Sequence, residues 1–565
     1  MIKQLYQDIG TKAQKAMEEQ SLSPTIQSNF TELRQRLENY RVVVPIIGSF
    51  SAGKTSLVNS LIGRELLTVD VTPETAIATE LHFSAEERVE FVRQDGSFDT
   101  HPISQLSQLK ASNFQFQRVF INSPILAQNP EMVLVDMPGL GSGIEAHNKS
   151  ILTYIEKGSA FIIVIDVEDG TIRQSNINFI REVIGYGFSI SILINKIDKK
   201  TGKDVQLVMD NVTSLANSQF GKEIFIGKTS ATTGDLSDFS KLLTQYTIEA
   251  FIKNIFRTPY QDIFALARGE LQTRMNGMVL SFDELELQIK NFQKQRQDLE
   301  QGFENEKRKV KRDFVDDGTE EILQEVKSAL LAQSKSIAEM AQRNPDALKS
   351  EINEIIRPIL IKKTKAVIDL EVAEHLERFQ KIMNETSTNP NDGVGVVSSL
   401  LDQIKSPNNE IIGKTISSIV DKINSPMINK IYKIIVGALG ILTTVIAPWL
   451  EVILLFVPEI LGFLTGGKNQ HEAEKAQKIE DEVKYNVIPQ ITSKLRPEIS
   501  NSLKEIETQI LAELEQNFRQ ELVRIEEVLN KIKEEKEGKT KDHEENRQQI
   551  LNHIDFWLSL TEELN

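Results

Sequence analysis

The sequence predicts an α/β domain with a mostly parallel sheet covered by helices on both faces, joined to a large helical remainder. Continuous aliphatic runs recur between residues 42 and 227, as in strands that are buried on both sides. A glycine-rich loop of phosphate-binding type directly follows the first run. Before and after this region, apolar residues recur every three or four positions, which is the helical period. Such a layout favours a sheet whose strands alternate with helices, flanked by helices alone.

Five runs carry the strand prediction. They are residues 42–50, Met132–Asp136, Ala160–Asp166, Ser189–Asn195 and residues 223–227. None alternates strictly between apolar and polar residues, so a strand that faces solvent on one side is disfavoured.

The helical segments are predicted from apolar stripes. Near the start, the stripe consists of Ile2, Leu5, Ile9, Ala13 and Met17; Ser21 to Pro24 breaks it, and Ile26, Phe30, Leu33 and Leu37 resume it. Coiled-coil-like stripes run from Leu285 to Val310 and from Leu503 to Leu529. A last apolar face comprises Ile550, Leu551, Ile554, Trp557 and Leu558. Residues 386–396 read as a loop because they are rich in Thr, Asn, Pro and Gly.

Composition excludes several classes of protein. A length of 565 residues suggests about four domains. The net charge of −16 argues against nucleic acid as a partner, because phosphate contact needs an excess of Lys and Arg. The absence of cysteine excludes disulfides, thiolate metal sites and a cysteine nucleophile. The first residues lack the apolar core of a signal peptide, so a cytoplasmic location is expected.

The stretch GSFSAGKT matches the phosphate-loop pattern GxxxxGK[ST]. Its members, with the serine that follows, are the predicted phosphate-binding residues Gly48, Ser49, Phe50, Ser51, Ala52, Gly53, Lys54, Thr55 and Ser56. The two glycines allow the backbone N–H groups to surround the phosphates at a helix N-terminus. Lys54 supplies a positive charge to the β- and γ-phosphates, and the Thr55 hydroxyl can bind Mg²⁺.

Two further stretches each follow a predicted strand. In DMPG, Asp136 can hold the Mg²⁺ shell and the Gly139 N–H can meet the γ-phosphate. In NKID, Asp198 offers two acceptors to a purine that carries N1–H and an exocyclic amine, which selects guanine over adenine. Asn195 and the stem of Lys196 can brace the base. The order of the three motifs predicts GTP and GDP as ligands, with Mg²⁺.

Weaker signals complete the predicted site. Ser230 and Ala231 follow the last strand, where a backbone N–H could meet the guanine O6 or simply form a turn. Between the phosphate loop and DMPG, a GTPase needs a threonine that covers the γ-phosphate, and Thr75 and Thr72 are the candidates. Leu140 stands where many small GTPases carry a glutamine that orients water. No base in the same chain is therefore evident, and we expect hydrolysis to depend on ordering of these loops, with dimerisation across the nucleotide as one route.

An apolar island extends from Ile434 to Gly467, where the only charges are Glu451 and Glu459. A membrane-spanning helix needs about 20 apolar residues, so the first uncharged run is borderline. Pro448 and Trp449 could turn the chain into a hairpin that enters one leaflet, with Lys430, Lys433 and Lys468 near lipid head groups. A pair of helices buried in the core of the helical region explains the same composition.

These residues resemble the dynamin superfamily. FSAGKTSLVNSLIG, PETAIAT, DMPG and NKID, between long helices, look most like bacterial dynamin-like proteins, and the length also suits the LeoA type. The motifs cover about 200 residues, whereas the helical part is matched by layout alone. The resemblance implies an elongated all-α helical bundle beyond the GTPase head. Its predicted divisions are N-terminal neck helices (1–40), GTPase domain (41–255), neck and trunk helices (256–405), hydrophobic tip or paddle (406–470) and a trunk helix returning to the neck (471–565).

The resemblance also implies roles for residues. It favours Thr75 over Thr72 as the γ-phosphate and Mg²⁺ residue, and makes Ser51, Lys54 and Thr75 the catalytic set, with Ser51 supporting charge near the β/γ bridge. Phe50 departs from the glutamine of eukaryotic dynamins, so their catalytic chemistry transfers only in part. The family has no glutamine after DxPG, which agrees with Leu140.

By resemblance, GTP would drive self-association of the GTPase domains, and hydrolysis would swing the trunk. Residues 431–466 would meet membrane lipid, which makes the expected location cytoplasmic and peripherally membrane-associated. Thr258–Pro259 is a candidate hinge, or a proline that stops a helix. Two other interpretations remain: a GTPase whose helical part binds a protein partner or another subunit without entering lipid, and a nucleotide-dependent scaffold with little turnover.

Overall fold

The structure is a computed structural model. It describes residues 2–49, 51–68, 77–93, 95–106, 114–139, 154, 158–185, 188–221, 224–309, 313–343, 345–387, 434, 472–538 and 543–564.

The elements follow the order expected from the sequence patterns. The strands are β1 Val42–Gly48, β2 Ala78–Phe83, β3 Arg88–Val92, β4 Phe98–His101, β5 Phe116–Ile121, β6 Met132–Asp136, β7 Ala160–Asp166, β8 Ser189–Asn195 and β9 Phe225–Lys228. The helices up to the last strand are α1 Ile2–Glu19, α2 Pro24–Asn39, α3 Lys54–Ile62, α4 Pro124–Gln128, α5 Gln174–Gly185 and α6 Gly202–Phe220. The later helices are α7 Ser237–Gln245, α8 Ile248–Val279, α9 Phe282–Lys309, α10 Asp313–Ala332, α11 Ser334–Arg343, α12 Pro345–Ser387, α13 Glu472–Glu482, α14 Ile488–Gly538 and α15 His543–Glu563. Short 3-10 helices lie at Ile103–Gln105, Val167–Asp169 and Ile197–Lys199, and a π-helical turn lies at Val483–Val487.

In the described part of the chain, nine strands form one sheet in the order β4-β3-β5-β2-β6-β1-β7-β8-β9. Within this order, the neighbouring strands β6, β1, β7, β8 and β9 run parallel to one another. At the other side, β2 runs antiparallel to β6 and parallel to β5, and β3 is antiparallel to both of its neighbours. The predicted fold class, a mostly parallel sheet with a long helical region, is confirmed.

Both faces of the central strands are buried, as their continuous aliphatic runs require. On β7, Ile163 packs into the cluster that includes α5 and α6, whereas Val164 packs into the cluster that includes α3 and α7. Neighbouring side chains of a strand point to opposite faces, so one uninterrupted run fills two cores. Four of the five predicted strands therefore lie in the middle of the sheet, and Phe225–Lys228 lies at its edge.

The antiparallel side of the sheet, β2 to β5, was not predicted. These strands carry charges that pair across the sheet rather than apolar runs: Arg118 lies 3.5 Å from Glu80 and 3.7 Å from Glu90. Arg88 donates to Glu90 at 3.0 Å, and its guanidinium lies 3.6 Å from the centre of the Phe120 ring. Strands stabilised by such cross-strand pairs leave no continuous apolar run in the sequence.

Helices α1, α2, α8 and α15 form a bundle beside the sheet. Its core is aromatic: the Tyr6 and Tyr260 rings lie 5.3 Å apart, as do the Phe264 and Trp557 rings. The Trp557 indole donates a hydrogen bond to Gln20 Oε1 at 2.7 Å. The two ends of the described chain thus share one core.

The stripe predictions at the two ends were partly wrong. Leu5 is 42% exposed, whereas Tyr6 is buried. In α15, Leu551 and Leu558 are 36% and 41% exposed, and Leu560 is buried instead. Two adjacent residues on a helix are about 100° apart, so the buried Tyr6 and Trp557 leave Leu5 and Leu558 at the edge of the interface.

Helix α8 runs without interruption through Pro259. The expectation that this proline stops a helix was wrong, because Pro259 is buried among the helices of the bundle, and packing there outweighs one missing backbone hydrogen bond. The predicted boundary between residues 255 and 256 falls inside this helix.

The remaining helices form a trunk that packs on the sheet's α5–α6 side. The predicted stripe of α14 is buried in one cluster with Leu285, Phe292 and Leu299. Its eight residues are Leu503, Ile506, Ile510, Leu514, Phe518, Leu522, Ile525 and Leu529. Phe303 and Phe518 stack with ring centres 4.3 Å apart. Helix α12 lies against α5, where Ile355 and Ile359 line a cavity together with Arg181 and Ile184. The trunk therefore contacts the sheet domain directly.

Two predictions fall largely outside the described residues. Of the loop expected at 386–396, only Thr386 and Ser387 are described, and the prediction was wrong for these two because they end helix α12. The apolar island is described only at Ile434, which packs against the trunk cluster. Among the described helices, none is both long enough and apolar enough to cross a membrane.

Candidate functional site

The predicted motifs meet at one edge of the sheet because they end parallel strands. β1 pairs in parallel with β6 and β7, and β7 pairs in parallel with β8. The carboxyl ends of β1, β6 and β8 therefore face the same way, and the loops that follow them converge. Ligands of open α/β sheets bind at this edge.

The phosphate loop depends on its two glycines. A Cβ on Gly48 would lie 2.2 Å from the Val164 carbonyl oxygen, so no side chain fits there. Gly53 has φ of 81°, a left-handed conformation, and a Cβ on it would lie 2.7 Å from Asn195 Nδ2. The backbone between them is thus held close to β7 and to the NKID loop, as the pattern GxxxxGK[ST] requires.

Lys54 begins α3 directly after this loop. Its side-chain ammonium donates to the Gly48 and Ser49 carbonyl oxygens, both at 3.1 Å. Burial lowers the pKa of Lys54 to about 8, although Asp136 acts in the opposite direction. Burial thus disfavours the charged form of Lys54, and a bound anion would stabilise that form.

Thr55 and Asp136 lie together, as predicted for a Mg²⁺ site. The Thr55 hydroxyl donates to Asp136 Oδ2 at 2.7 Å, while the buried Oδ1 has no hydrogen-bond partner among the described residues. Burial raises the pKa of Asp136, and Lys54 and Thr55 oppose that rise. A buried carboxylate oxygen without a donor, beside a hydroxyl, fits a hard cation that also takes phosphate oxygens and water.

The NKID loop is tied to the phosphate loop. The Asn195 amide donates to the Ala52 carbonyl oxygen at 3.0 Å, and its oxygen accepts from the Thr229 hydroxyl at 3.3 Å. Lys196 has φ of 64°, and its ammonium donates to the Ser51 carbonyl oxygen at 2.6 Å. The phosphate and base sites are therefore connected directly by hydrogen bonds within the protein.

Asp198 lies in the 3-10 helix Ile197–Lys199 and accepts a hydrogen bond from the Ser230 hydroxyl. Ser230 is fully buried, and its N–H donates to the Asp235 carbonyl oxygen at 2.9 Å. Ala231 follows on the same turn and is half-buried. Ser230 thus orients the carboxylate that is predicted to read guanine.

The other predicted residues vary in exposure. Ser51 is exposed, Ser56 is half-buried, and Gly139 is buried at the end of DMPG. Ser49 is 7% exposed, and its hydroxyl has no partner among the described residues. Phe50, Thr72, Thr75 and Leu140 lie outside the described residues.

Sequence reasoning missed Asp166. It is the last residue of β7, and its Oδ2 accepts from the Lys196 ammonium at 2.7 Å. The only signal was its position: an aspartate that closes an apolar strand next to the strand that carries NKID.

A phosphate loop, DMPG and NKID converge at the carboxyl edge of this sheet, which is the arrangement of the phosphate-loop GTPase fold. Residues 44–198 match the family model described as Dynamin family. The match covers 155 of the 565 residues, from the first strand to the NKID motif, so the likeness to that family is shown for this part of the chain.

Two curated proteins are similar to parts of this chain. An uncharacterized protein of Caldicellulosiruptor sp. from the xynA 3' region is 24% identical over 243 residues, which cover 41% of this chain and 60% of that protein. Dynamin-like protein 2 of Campylobacter jejuni is 31% identical over 198 residues, covering 32% of this chain and 29% of that protein. The matches thus span less than two thirds of these relatives. The suggested likeness to the LeoA type stays a prediction.

Among solved structures, a chain of an oligomerised bacterial dynamin pair, described as a mechanism for long-range sensing and tethering of membranes, aligns over 100% of this chain and 82% of its own. The sequence identity is 15% and the TM-score is 0.42.

Proposed function

We propose that this chain binds GTP and GDP together with Mg²⁺ and hydrolyses GTP. The observation that carries the proposal is the connected edge of the sheet, where Asn195 and Lys196 hydrogen-bond the phosphate-loop backbone beside Thr55 and Asp136. The match of residues 44–198 to the Dynamin family model supports the same reaction.

Each residue then has a chemical role in the proposal. The N–H groups of residues 48–56 surround the phosphates, and Lys54 neutralises their charge. Thr55, Asp136 and Thr75 would hold Mg²⁺, which when bound would supply Lewis-acid stabilisation of the transferred phosphoryl group. Asn195, Lys196, Asp198, Ser230 and Ala231 bind the base; Gly139 meets the γ-phosphate and Ser51 supports charge near the β/γ bridge.

GTP turnover tests the reaction. The wild type should release phosphate from GTP in the presence of Mg²⁺, and Lys54→Ala should lose at least about 100-fold in kcat/KM, because the phosphates lose their buried counter-charge. Lys203→Ala, which removes an exposed lysine of α6, is the matched control and should match the wild type. A wild type no faster than Lys54→Ala would leave a nucleotide-dependent scaffold as the function.

The proposal includes dimerisation of the GTPase domains across the nucleotide. It is supported by the lack of a catalytic glutamine after DMPG, which calls for loops ordered by a partner. The rate per subunit should rise over a hundredfold range of protein concentration. A flat rate, with and without lipid, would remove dimerisation from the mechanism.

The apolar island is the proposed membrane-binding segment, with residues 406–470 as the tip and the helices on either side as neck and trunk. Trp449 and Trp557 are the two tryptophans of the chain. In a Trp557→Phe variant, Trp449 alone reports on the island. Its fluorescence should shift to shorter wavelength with phosphatidylcholine vesicles containing about 30% anionic lipid, since indole prefers the interface.

Two variants complete that test. Trp449→Glu and deletion of residues 434–464 should each abolish co-sedimentation with vesicles, while GTP turnover in solution persists. If the wild type ignores vesicles of every composition, a protein partner for the helical part replaces lipid in the proposal.

A route from nucleotide to trunk is supported by the packing of α5. This helix begins eight residues after Asp166, which closes β7 at the nucleotide edge, and its Ile177, Ile180 and Val183 share one core with Ile355 and Ile356 of α12. A change at the nucleotide edge reaches α12 through this contact. Hydrolysis would thereby alter how the trunk sits on the GTPase domain.

A further inference from the structure

We infer that Asp166 is a positioning residue for guanine-nucleotide binding, and that it acts through Lys196. The inference rests on the proposed function, because it concerns the same nucleotide. Asp166 stands opposite Asn195 in the parallel pairing of β7 with β8, so it lies beside the start of NKID. Its side chain is 8% exposed.

Lys196 has little freedom in this arrangement. Its ammonium donates to two oxygens, the Ser51 carbonyl at 2.6 Å and Asp166 Oδ2 at 2.7 Å. Its Cε lies 3.3 Å from the point where a Cβ on Gly53 would be, so the stem lies along the phosphate loop. The stem can therefore brace a base only while its far end stays fixed.

Asp166 is itself held in place. Its Oδ1 accepts from the Glu168 N–H at 2.9 Å, at the start of the 3-10 helix Val167–Asp169. Burial alone would raise the pKa of Asp166, but hydrogen bonds from Lys196 and Glu168 bring it below its usual value. A carboxylate with both oxygens engaged gives the lysine a strong, fixed, charge-assisted partner.

This geometry separates Asp166 from the chemical step. It lies on the base side of the loop and contacts Lys196 rather than Lys54, Thr55 or Asp136. Its removal should weaken GDP and GTP to the same extent. KM for GTP should rise in parallel with Kd for GDP, with kcat changed less than about twofold.

A double-mutant cycle with fluorescent N-methylanthraniloyl-GDP tests the inference. Asp166→Ala should raise Kd about tenfold, as expected for loss of one charge-assisted hydrogen bond. Lys196→Met, which also loses the bond to the Ser51 carbonyl oxygen, should raise Kd at least as much. The double variant should bind within twofold of Lys196→Met alone, because Asp166 has nothing to hold once the ammonium is gone. Two effects that simply multiply would overturn the inference.

Controls separate binding from folding. Glu168→Gln alters the neighbouring side chain, which is 56% exposed and pairs with Lys199, and it should leave Kd unchanged. Asp166→Asn keeps the shape and one acceptor, so it should fall between wild type and Asp166→Ala even if the alanine variant is unstable. A merely structural Asp166 would lower the melting temperature of the nucleotide-free protein while Kd stayed at the wild-type value, which also overturns the inference.

A failure of the proposed function would give a different result, because the wild type would then not bind the labelled GDP at all. A wild type that binds, alongside an Asp166→Ala variant that binds equally well, removes only the role of Asp166.

Discussion

The side-chain amide of Asn195 donates to the Ala52 carbonyl oxygen at 3.0 Å, across 143 positions of sequence. This bond ties the guanine motif to the phosphate loop. The distance between the predicted base and phosphate sites is therefore set by a contact within the protein itself.

The depressed pKa of Lys54 predicts a pH dependence of nucleotide binding. Without ligand this pKa is about 8, and bound phosphates should raise it, so binding takes up a proton above pH 8. Kd for GDP should then be about tenfold higher at pH 9 than at pH 7. Isothermal titration in buffers of different ionisation enthalpy measures both Kd and the proton uptake.

Lys54→Arg is the matched control, because arginine stays charged throughout this range. Its Kd should vary less between pH 7 and 9 than that of the wild type. A wild-type Kd that is flat over the same range would contradict a lysine pKa near 8.

Asp198→Asn should change the base that is preferred. An aspartate accepts from the N1–H and amine of guanine, whereas an amide can donate to the second carbonyl of xanthine. GDP should lose at least about 100-fold in affinity, as expected for two hydrogen bonds to a charged acceptor, and xanthosine diphosphate should gain. Competition against labelled GDP and labelled xanthosine diphosphate measures both.

Ser230→Ala is a milder companion to that variant, since it removes only the hydroxyl that orients Asp198. It should weaken GDP without favouring xanthosine diphosphate. Equal loss for both nucleotides in Asp198→Asn would mean that Asp198 does not read the base.

Gly277 predicts a stability effect far from the nucleotide. A Cβ there would lie 2.7 Å from Ile532 Cγ2, where α8 crosses α14, and Ile532 is fully buried. Gly277→Val should cost about 1–3 kcal/mol of stability by overpacking, with GDP affinity retained. Thermal unfolding followed by circular dichroism measures the loss.

Gly202 offers the matched comparison. It begins α6, and a Cβ there would meet nothing within 4 Å. Gly202→Ala should therefore leave stability unchanged or raise it slightly, because alanine favours the helix. A Gly277→Val melting temperature equal to that of Gly202→Ala would show that α8 and α14 can separate at no cost.

Net charge predicts how membrane binding should respond to salt. With a charge of −16, the chain as a whole is not drawn to anionic lipid, so apolar area in the island must supply the affinity. Vesicle binding should change less than about threefold between ~50 and ~150 mM salt. A steep fall over that range would indicate binding through the few lysines near the island instead.

Sequence predicted the fold where burial was continuous. Both ends of the strand Ala160–Asp166 were predicted at the correct residue, because both faces of β7 are covered and its apolar run is unbroken. Arg88–Val92 was missed, because its stability comes from partners such as Arg118 and Phe120 that lie elsewhere in the chain. Pairing between strands cannot be read from one strand alone.

The site shows the same division. Lys54, Asp136 and Asp198 are recognisable because their motifs have fixed spacing, and the structure brings their elements to one edge. Asp166 carries no motif, and its meaning depends on the register that sets it opposite Asn195. The prediction that Pro259 stops a helix was wrong because the preference of proline against helices is local, whereas the packing that overrides it is not.

The unbroken helix α8 is long enough to amplify a small change in its direction. Its 32 residues correspond to about 48 Å of length at 1.5 Å per residue. A tilt of about 10° where it leaves the sheet would move its far end by roughly 8 Å, more than the pitch of one helical turn. Ångström-scale rearrangements around a phosphate could in this way become displacements large enough to change which helices touch.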